Sequence, residues 1–354
     1  MLDVFPFLSI MIREYLKLAR SFNAVLTGIS PVMGAIAMQQ YDILTLIVLF
    51  IIGFLGHSFG FVFNDIIDFK IDKASSEISD RPLISGTISP KNAWVFAILC
   101  ISFAFIIAVV LAVNPNNIFN SLSNNYIPII ILAASASSIT LYDLISKKLP
   151  MMDIFVAIGI FFFILYGAST QVYALSEITS ITWFVCVLGS IQVLFMQIVA
   201  GGLKDIENDY NEGAKTTAIR LGVRVKDGLL QVSSIFKALA YGLQVLDVLL
   251  IFVLFVIPGV IPRDQFLNIF QWILLSLIAI LMFFLSHRLL TMGTFERQKA
   301  RKLIGSHYMV NFALVPILLM SLNPWAGILM FFPGLGFILS NIILHGTLLQ
   351  PKTM

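Results

Sequence analysis

ILTLIVLFIIGFLGHSFGFVFNDIIDFKID, residues 43–72, decides how the rest of the chain is read. Residues 43–63 contain no Asp, Glu, Lys or Arg, and a helix through them is long enough to cross a bilayer. Asn64, Asp65, Asp68 and Asp72 follow at once. Asn64, Asp68 and Asp72 are spaced i, i+4, i+8, so a helix carries them on one face, one turn apart. Asp205 and Asp209 follow another long apolar run with the same i, i+4 spacing. Carboxylate clusters at the ends of two spans point to a chelated divalent cation, and behind it to a phosphorylated ligand.

The rest of the chain supports a membrane setting. Its 354 residues are 59% hydrophobic and 12% charged, with a mean hydropathy of +0.96. That is about half the charge of a soluble domain. Apolar residues are spread throughout, so the expected fold is all-α, a single bundle of transmembrane helices. A barrel would need short alternating strands, and the runs here are continuous. Met1 to Arg20 lacks the apolar core and cleavage site of a secretory signal. Cys100 and Cys186 fall inside apolar runs and read as packing residues. The net charge of +3 gives no ground for a nucleic-acid partner, and the oligomeric state stays open.

Ten apolar stretches are counted, roughly 22–40, 42–63, 92–113, 126–142, 151–171, 181–202, 229–257, 268–287, 306–322 and 325–345. The ninth is short and holds His307, Asn311 and Pro316. Segments 1–21, 64–91, 142–150, 203–228, 288–305 and 346–354 carry 3, 4, 2, 5, 5 and 1 Lys or Arg, and those at 114–125 and 172–180 carry none. Alternate connections are therefore basic, which puts the N-terminus and both carboxylate clusters on the cytoplasmic side of the expected cell (plasma) membrane. Ten spans also put Lys352 inside; Lys237 and Arg263 are the exceptions to the pattern. Four spans separate the two clusters, so both halves have the same orientation, as in a parallel duplication facing one cavity. No linker divides residues 1–354, and Asn114 to Asn125 reads as an extracytoplasmic loop.

A diphosphate carries about three negative charges near neutral pH, and Mg2+ bridged between carboxylates and phosphate oxygens is the usual compensation. Asn64, Asp68, Asp72, Asp205 and Asp209 supply oxygen ligands. Arg81, Lys147, Lys148, Lys204 and Lys215 lie near them in the loops and would complete the clamp. There is no Cys/His set of zinc spacing, no P-loop and no GxGxxG. A solvated loop of mixed charge is the plain alternative, since Lys70, Lys73, Glu77 and Asp80 share the first loop. Two clusters at matching positions argue against it. His57, between Gly56 and Gly60, reads as a hydrogen-bonded packing histidine. Lys237 reads as snorkelling, and Arg297, Lys299, Arg301 and Lys302 as binding lipid headgroups or fixing topology.

NDIIDFKIDKASSEISDRPLISGTIS, residues 64–89, resembles the signature loop of the UbiA superfamily of intramembrane prenyltransferases. DIENDYNEGAKTTAIRLG, residues 205–222, is similar to that family's second acidic motif. LYDLISKKLPMMDIFVAIGIFFFILYGA (141–168) and LARSFNAVLTGISPVMGA (18–35) are similar to two further family segments, the latter with a basic residue and Asn23. The resemblance covers roughly residues 18–230. It departs at Asp153, where Asn is common, and at Ser21, where Pro is frequent.

The resemblance implies an all-helical bundle, here of nine to ten transmembrane helices, around a central cavity open sideways to membrane lipids. It implies Mg2+-dependent transfer there of a polyprenyl group from polyprenyl diphosphate to a lipophilic or aromatic acceptor. It implies that Asn64, Asp68, Asp72, Asp205 and Asp209 hold the Mg2+–diphosphate, with Arg81 and Lys147 at basic positions around it. The four aspartates are the expected catalytic residues. Asn23, Arg81, Lys147, Lys204 and Lys215 are the expected substrate-binding residues. The nine-residue step from Asp72 to Arg81 resembles the 4-hydroxybenzoate, quinone-precursor branch. Geranylgeranylglyceryl phosphate, the acceptor of archaeal ether-lipid synthesis, is the alternative. An ion- or metabolite-coupled transporter is the rival from another class, though its carboxylates would sit mid-span.

Overall fold

A computed structural model describes residues 4–73, 79–114, 118–262 and 264–348. Glu77, Arg263 and Lys352 lie outside the described residues. The helices, in chain order, are α1 (Val4–Leu18), α2 (Ser21–Ala37), α3 (Ile43–Ile67), α4 (Phe69–Asp72), α5 (Pro90–Val113), α6 (Ile127–Ile145) and α7 (Asp153–Ser169). Next, α8 (Ser180–Phe195) runs through a π-helical stretch, Met196–Gly201, into α9 (Gly202–Lys204). After α10 (Ile206–Asn211) and α11 (Thr217–Arg220) comes a hairpin of β1 (Arg224–Lys226) and β2 (Leu229–Gln231). The C-terminal part holds α12 (Ser234–Val256), α13 (Gln265–Leu290), α14 (Arg297–Asn311), α15 (Leu314–Leu319), a 3-10 stretch Pro324–Phe331 and α16 (Phe332–His345).

Among the described residues, 8 helices are long and apolar enough to cross a membrane, and α2 and α7 are shorter apolar helices of 17 residues each. A 17-residue helix is about 26 Å long, at the lower limit for a span. Together they account for the ten apolar stretches, and the protein is an integral, multi-pass membrane protein. Outer faces such as Ile98, Phe103 and Ile106 of α5 are exposed, the pattern of a surface that meets lipid.

Local chemistry sets the helix starts. Asp42 caps α3, its carboxylate accepting from the Thr45 amide at 2.8 Å, and these bonds hold its pKa below the usual range. Ser89 caps α5 with Pro90 in the first turn, where the missing N–H is harmless. Small residues set the closest approach. A Cβ at Gly34 would lie 1.9 Å from the Ile164 carbonyl oxygen, and one at Gly167 1.7 Å from that of Pro31. Only glycine lets α2 and α7 cross this tightly.

The structure corrects two expectations. The ninth span begins at Arg297, well before residue 306, and 67% of its most apolar window is buried inside the protein. A helix shielded from lipid tolerates polar residues, so His307 and Asn311 mark an interior span. The seventh span, expected from residue 229, starts at Ser234; residues 229–231 instead pair with 224–226 in the antiparallel hairpin. The N-terminal segment is helical, with Arg13 donating to the Leu344 carbonyl at 2.9 Å.

A buried polar seam joins α8, α12, α13 and α14. Gln192 donates to Asp247 at 3.2 Å, Gln244 to the Ser286 hydroxyl at 2.5 Å, and the Asn311 amide to the Gln192 carbonyl at 3.2 Å. Cys100 and Cys186 are free and buried, as packing residues should be.

Candidate functional site: two acidic motifs on one chamber

Both acidic motifs straddle a helix break. Asp68 ends α3, and α4 restarts at Phe69, yet the Asp72 amide still donates to the Asp68 carbonyl at 2.9 Å. Asp205 sits between α9 and α10, and the Asp209 amide donates to its carbonyl at 2.9 Å. The i, i+4 spacing therefore keeps its helical meaning across each break. The π-helical turn before Asp205 shifts the register of the backbone, and Met196, Gln197, Ala200 and Gly201 from it line the cavity. Such turns recur at functional sites.

The breaks open on one cavity of about 340 Å3. One end of its wall is charged: Asn64, Asp68, Asp72, Arg81, Lys147, Lys204, Asp205 and Asp209. The other is apolar and aromatic, with Leu26, Ile52, Leu132, Ile160, Phe163 and Phe312. Asn23 lines it too, and its side-chain oxygen is buried with no hydrogen-bond partner. Lys215 is exposed and not on the wall; its backbone amide instead donates to the Lys147 carbonyl at 3.1 Å, tying the two loops together.

Cations hold the carboxylates. Arg81 bonds Asp72 at 2.5 Å and stands 3.6 Å from Asp65. Lys147 bridges Asp68 at 3.1 Å and Asp72 at 3.3 Å. On the second motif, Lys204 meets one Asp205 oxygen at 3.1 Å and Arg297 the other at 2.7 Å. Burial alone would lower the pKa of Arg81, but Asp65, Asp72, Asp205 and Asp68 raise it above the ordinary value. Lys147 follows the same logic, with burial outweighed by Asp68 and Asp72. Asp68 is raised by burial, which Lys147 only partly offsets. Burial also raises Asp205, yet Lys204 and Arg81 pull it below the usual range. Asp209 is pushed up to about 7, by burial and then by the charge of Asp205.

Several site residues were not singled out in the sequence. Asp65 belongs to the first motif but turns away from its face to pair with Arg20 at 2.5 Å. Arg20 also lies 4.9 Å over the Phe61 ring. Asp143 lines the wall one helical turn before Lys147; it accepts from Asn64 at 3.2 Å, and its second oxygen is buried without a partner. Its position four residues before Lys147 was the available signal. The Thr217 hydroxyl donates to Asp153 at 2.6 Å. Arg297, read above as a headgroup or topology residue, is instead on the cavity wall against Asp205. Its neighbour Lys299 does face outward, 57% exposed. His57 bonds the Thr27 hydroxyl at 2.8 Å and reaches the Arg20 carbonyl at 3.3 Å, a hydrogen-bonded helix contact that also borders the cavity.

Among the described residues, no three His, Cys, Asp or Glu side chains converge on one point as a metal cage. A divalent ion held by one or two carboxylates, waters and substrate phosphates does not require such a cage. The donor set is all oxygen, and both motifs reach the same space.

Comparison with known proteins identifies the class. The sequence model of the UbiA prenyltransferase family matches residues 22–306, and the chain belongs to that family. It is 26% identical over 217 residues to a 4-hydroxybenzoate octaprenyltransferase from Vibrio atlanticus (strain LGP32), covering 61% of this chain and 70% of the relative. It is 26% identical over 262 residues to a digeranylgeranylglyceryl phosphate synthase from Sulfolobus acidocaldarius, covering 69% and 87%. A UbiA homolog from Archaeoglobus fulgidus bound to GPP and Mg2+ shares the fold, with a TM-score of 0.60 at 14% identity over 87% of this chain and 99% of that one. A digeranylgeranylglyceryl phosphate synthase structure matches with a TM-score of 0.59 at 19% identity, covering 88% and 98%. The protein is thus an enzyme, a prenyltransferase that transfers alkyl groups other than methyl, and the transporter alternative falls away.

Proposed function

We propose that the protein transfers a polyprenyl group from polyprenyl diphosphate to a hydroxyl-bearing acceptor, with Mg2+, at the cytoplasmic face of a cell membrane. The observation that carries this is the charge of the wall. Arg20, Arg81, Lys147, Lys204 and Arg297 stand against Asp68, Asp72, Asp143, Asp153, Asp205 and Asp209. A wall with no surplus of positive charge cannot hold a diphosphate of about three negative charges unaided; divalent cations supply the difference. The apolar end accommodates a hydrocarbon chain. Alternating basic connections support the cytoplasmic placement.

Asn64, Asp68, Asp72, Asp205 and Asp209 would hold the ions, leaving Arg81, Lys147 and Lys204 to turn from carboxylates to phosphate oxygens. When bound, Mg2+ supplies positive charge that neutralises the leaving diphosphate. The C1–O bond breaks with its electron pair on the diphosphate. The allylic cation left behind is shielded from water by the apolar wall and by aromatic faces such as Phe163. The acceptor attacks C1 and releases a proton.

For the acceptor, the Asp72–Arg81 step and the fully engaged cations favour an aromatic ring of the 4-hydroxybenzoate type. The similarity to the Sulfolobus synthase over 87% of its length favours a second reading, a glycerophosphate acceptor. Purified protein incubated with a panel of prenyl diphosphates and both acceptors, with products read by mass spectrometry, separates the two. No prenylated product from any pair, with and without Mg2+, rejects the proposal.

A further inference from the structure

We propose that Arg297, from the start of the ninth span, is a diphosphate-binding residue. The inference rests on the prenyl-diphosphate reading above and extends the site into a part of the chain that neither acidic motif contains.

Three observations carry it. Arg297 lines the cavity, and its side chain is only 12% exposed. It is placed by a rigid scaffold: the Leu230 amide donates to the Gly293 carbonyl at 2.9 Å and the Phe295 amide to the Gly228 carbonyl at 2.8 Å. The hairpin of the second-motif loop thus pins the segment that leads into α14, two residues before Arg297. Finally, Asp205 has a cation on each oxygen, Lys204 at 3.1 Å and Arg297 at 2.7 Å.

An Asp205 that holds a divalent ion cannot keep both. Lys204, 11% exposed at its side chain, has a flexible stem that lets its ammonium turn to a neighbouring phosphate oxygen. The planar guanidinium of Arg297, little exposed and fixed at the base of its helix, cannot move to water cheaply. A diphosphate oxygen arriving with the ion replaces the carboxylate with a partner of the same sign and a matching bidentate geometry. Arg297 thereby exchanges its Asp205 contact for a substrate oxygen.

The test compares wild type, Arg297→Ala, Arg297→Lys and Asp68→Ala. Binding of inorganic pyrophosphate with Mg2+ is read from the shift in unfolding temperature, and KM and kcat for a prenyl diphosphate are measured alongside. Arg297→Ala is expected to weaken pyrophosphate binding roughly 10–100-fold, the range of a lost charge-assisted bond, and to raise KM in proportion. Arg297→Lys recovers part of both. Pyrophosphate affinity and KM within twofold of wild type in Arg297→Ala would overturn the inference and leave Arg297 a structural ion pair. If Arg297→Ala does not fold, Arg297→Lys decides: weaker pyrophosphate binding at an unchanged ligand-free unfolding temperature supports the role, and unchanged binding refutes it. Failure of the underlying reading looks different, namely no pyrophosphate binding by wild type, or binding undiminished in Asp68→Ala.

Discussion

The two acidic motifs use the same local device and neutralise it differently. In the first, Asp68 and Asp72 are 7% and 6% exposed, and their cations, Arg81 and Lys147, come from the motif's own loop and from the α6–α7 connection. In the second, the Asp205 side chain is 29% exposed and borrows a cation from α14, 92 residues away. Asp209, on the turn after Asp205, is raised to about 7. The first motif is a closed set of ion pairs that must be opened. The second is open only at Asp205; Asp209 is 8% exposed, and its burial and the Asp205 charge raise it to about 7. On the proposed reading, an ion would enter more easily at the second motif and be held more tightly by the first.

The largest expected effect breaks both motifs. Asp68→Ala strips Lys147 of a partner, and Asp205→Ala strips Lys204 and Arg297 together. Each is expected to lower prenyl transfer by at least about 100-fold, the scale of losing one preorganised electrostatic group. Undiminished transfer by both variants, measured with radiolabelled prenyl diphosphate, would remove the site from this cavity.

Next comes the difference between the two sets of cations. Arg81 is 6% exposed and paired with Asp72 and Asp65. Arg81→Ala takes one of two cations from Asp72 and Asp65, which keep Lys147 and Arg20, and is expected to destabilise the fold by about 1–3 kcal/mol. Lys204 of the second motif, whose partner Asp205 is 29% exposed at its side chain and keeps Arg297, is expected to cost less when truncated. Chemical or thermal unfolding in detergent ranks them, and equal losses would erase the contrast between closed and open motifs.

How much of this was legible in advance follows from what each residue answers to. The apolar spans and the i, i+4 acid spacing are local properties, and both are in the sequence. Arg81 was legible because it follows Asp72 by nine positions. Arg297 was not, because its partner lies 92 positions upstream and a run of four cations before a span reads equally well as a topology signal. The ninth span was placed too late for a related reason. Hydropathy reports contact with lipid, and this helix is mostly enclosed by protein. Lys215 errs in the opposite direction: it belongs to the motif by position, yet its side chain is exposed and only its backbone joins the site. Asp143 is an acid within an apolar helix, and only the fold shows it beside Asn64.

The pH dependence sharpens the comparison at smaller amplitude. Asp209 has a folded-state pKa raised to about 7. A raised carboxylate adds stability below its ordinary pKa, and that contribution is lost as pH rises through about 7. Asp205, lowered, does the reverse, adding stability above its ordinary pKa and losing it as pH falls. An ion needs Asp209 ionised, so binding of Mg2+ with pyrophosphate should weaken as pH drops below about 7 and release a proton. Asp209→Asn should bind more weakly and flatten that slope, as followed by calorimetry in buffers of different ionisation enthalpy. An unchanged slope in Asp209→Asn would assign the titration elsewhere.

The smallest effect concerns how the more open motif is kept in place without many ion pairs. Thr217, 2% exposed, donates to Asp153 at 2.6 Å and accepts from the Met151 amide at 2.9 Å. It thus fastens the loop after Asp209 to the start of α7 with two hydrogen bonds, one of them to the Asp153 carboxyl. Thr217→Val keeps the shape and removes both bonds, leaving the Met151 amide and one Asp153 oxygen unsatisfied. A cost of about 1–3 kcal/mol is expected, with Thr217→Ser near wild type. If the loop is held mainly by these bonds, Thr217→Val should also weaken pyrophosphate binding through Asp205 and Asp209 while leaving the Arg81–Asp72 pair of the first motif intact. A Thr217→Val protein with unaltered unfolding temperature would mean that the second motif is held by its ion pairs after all, and that the two motifs differ less than their exposures suggest.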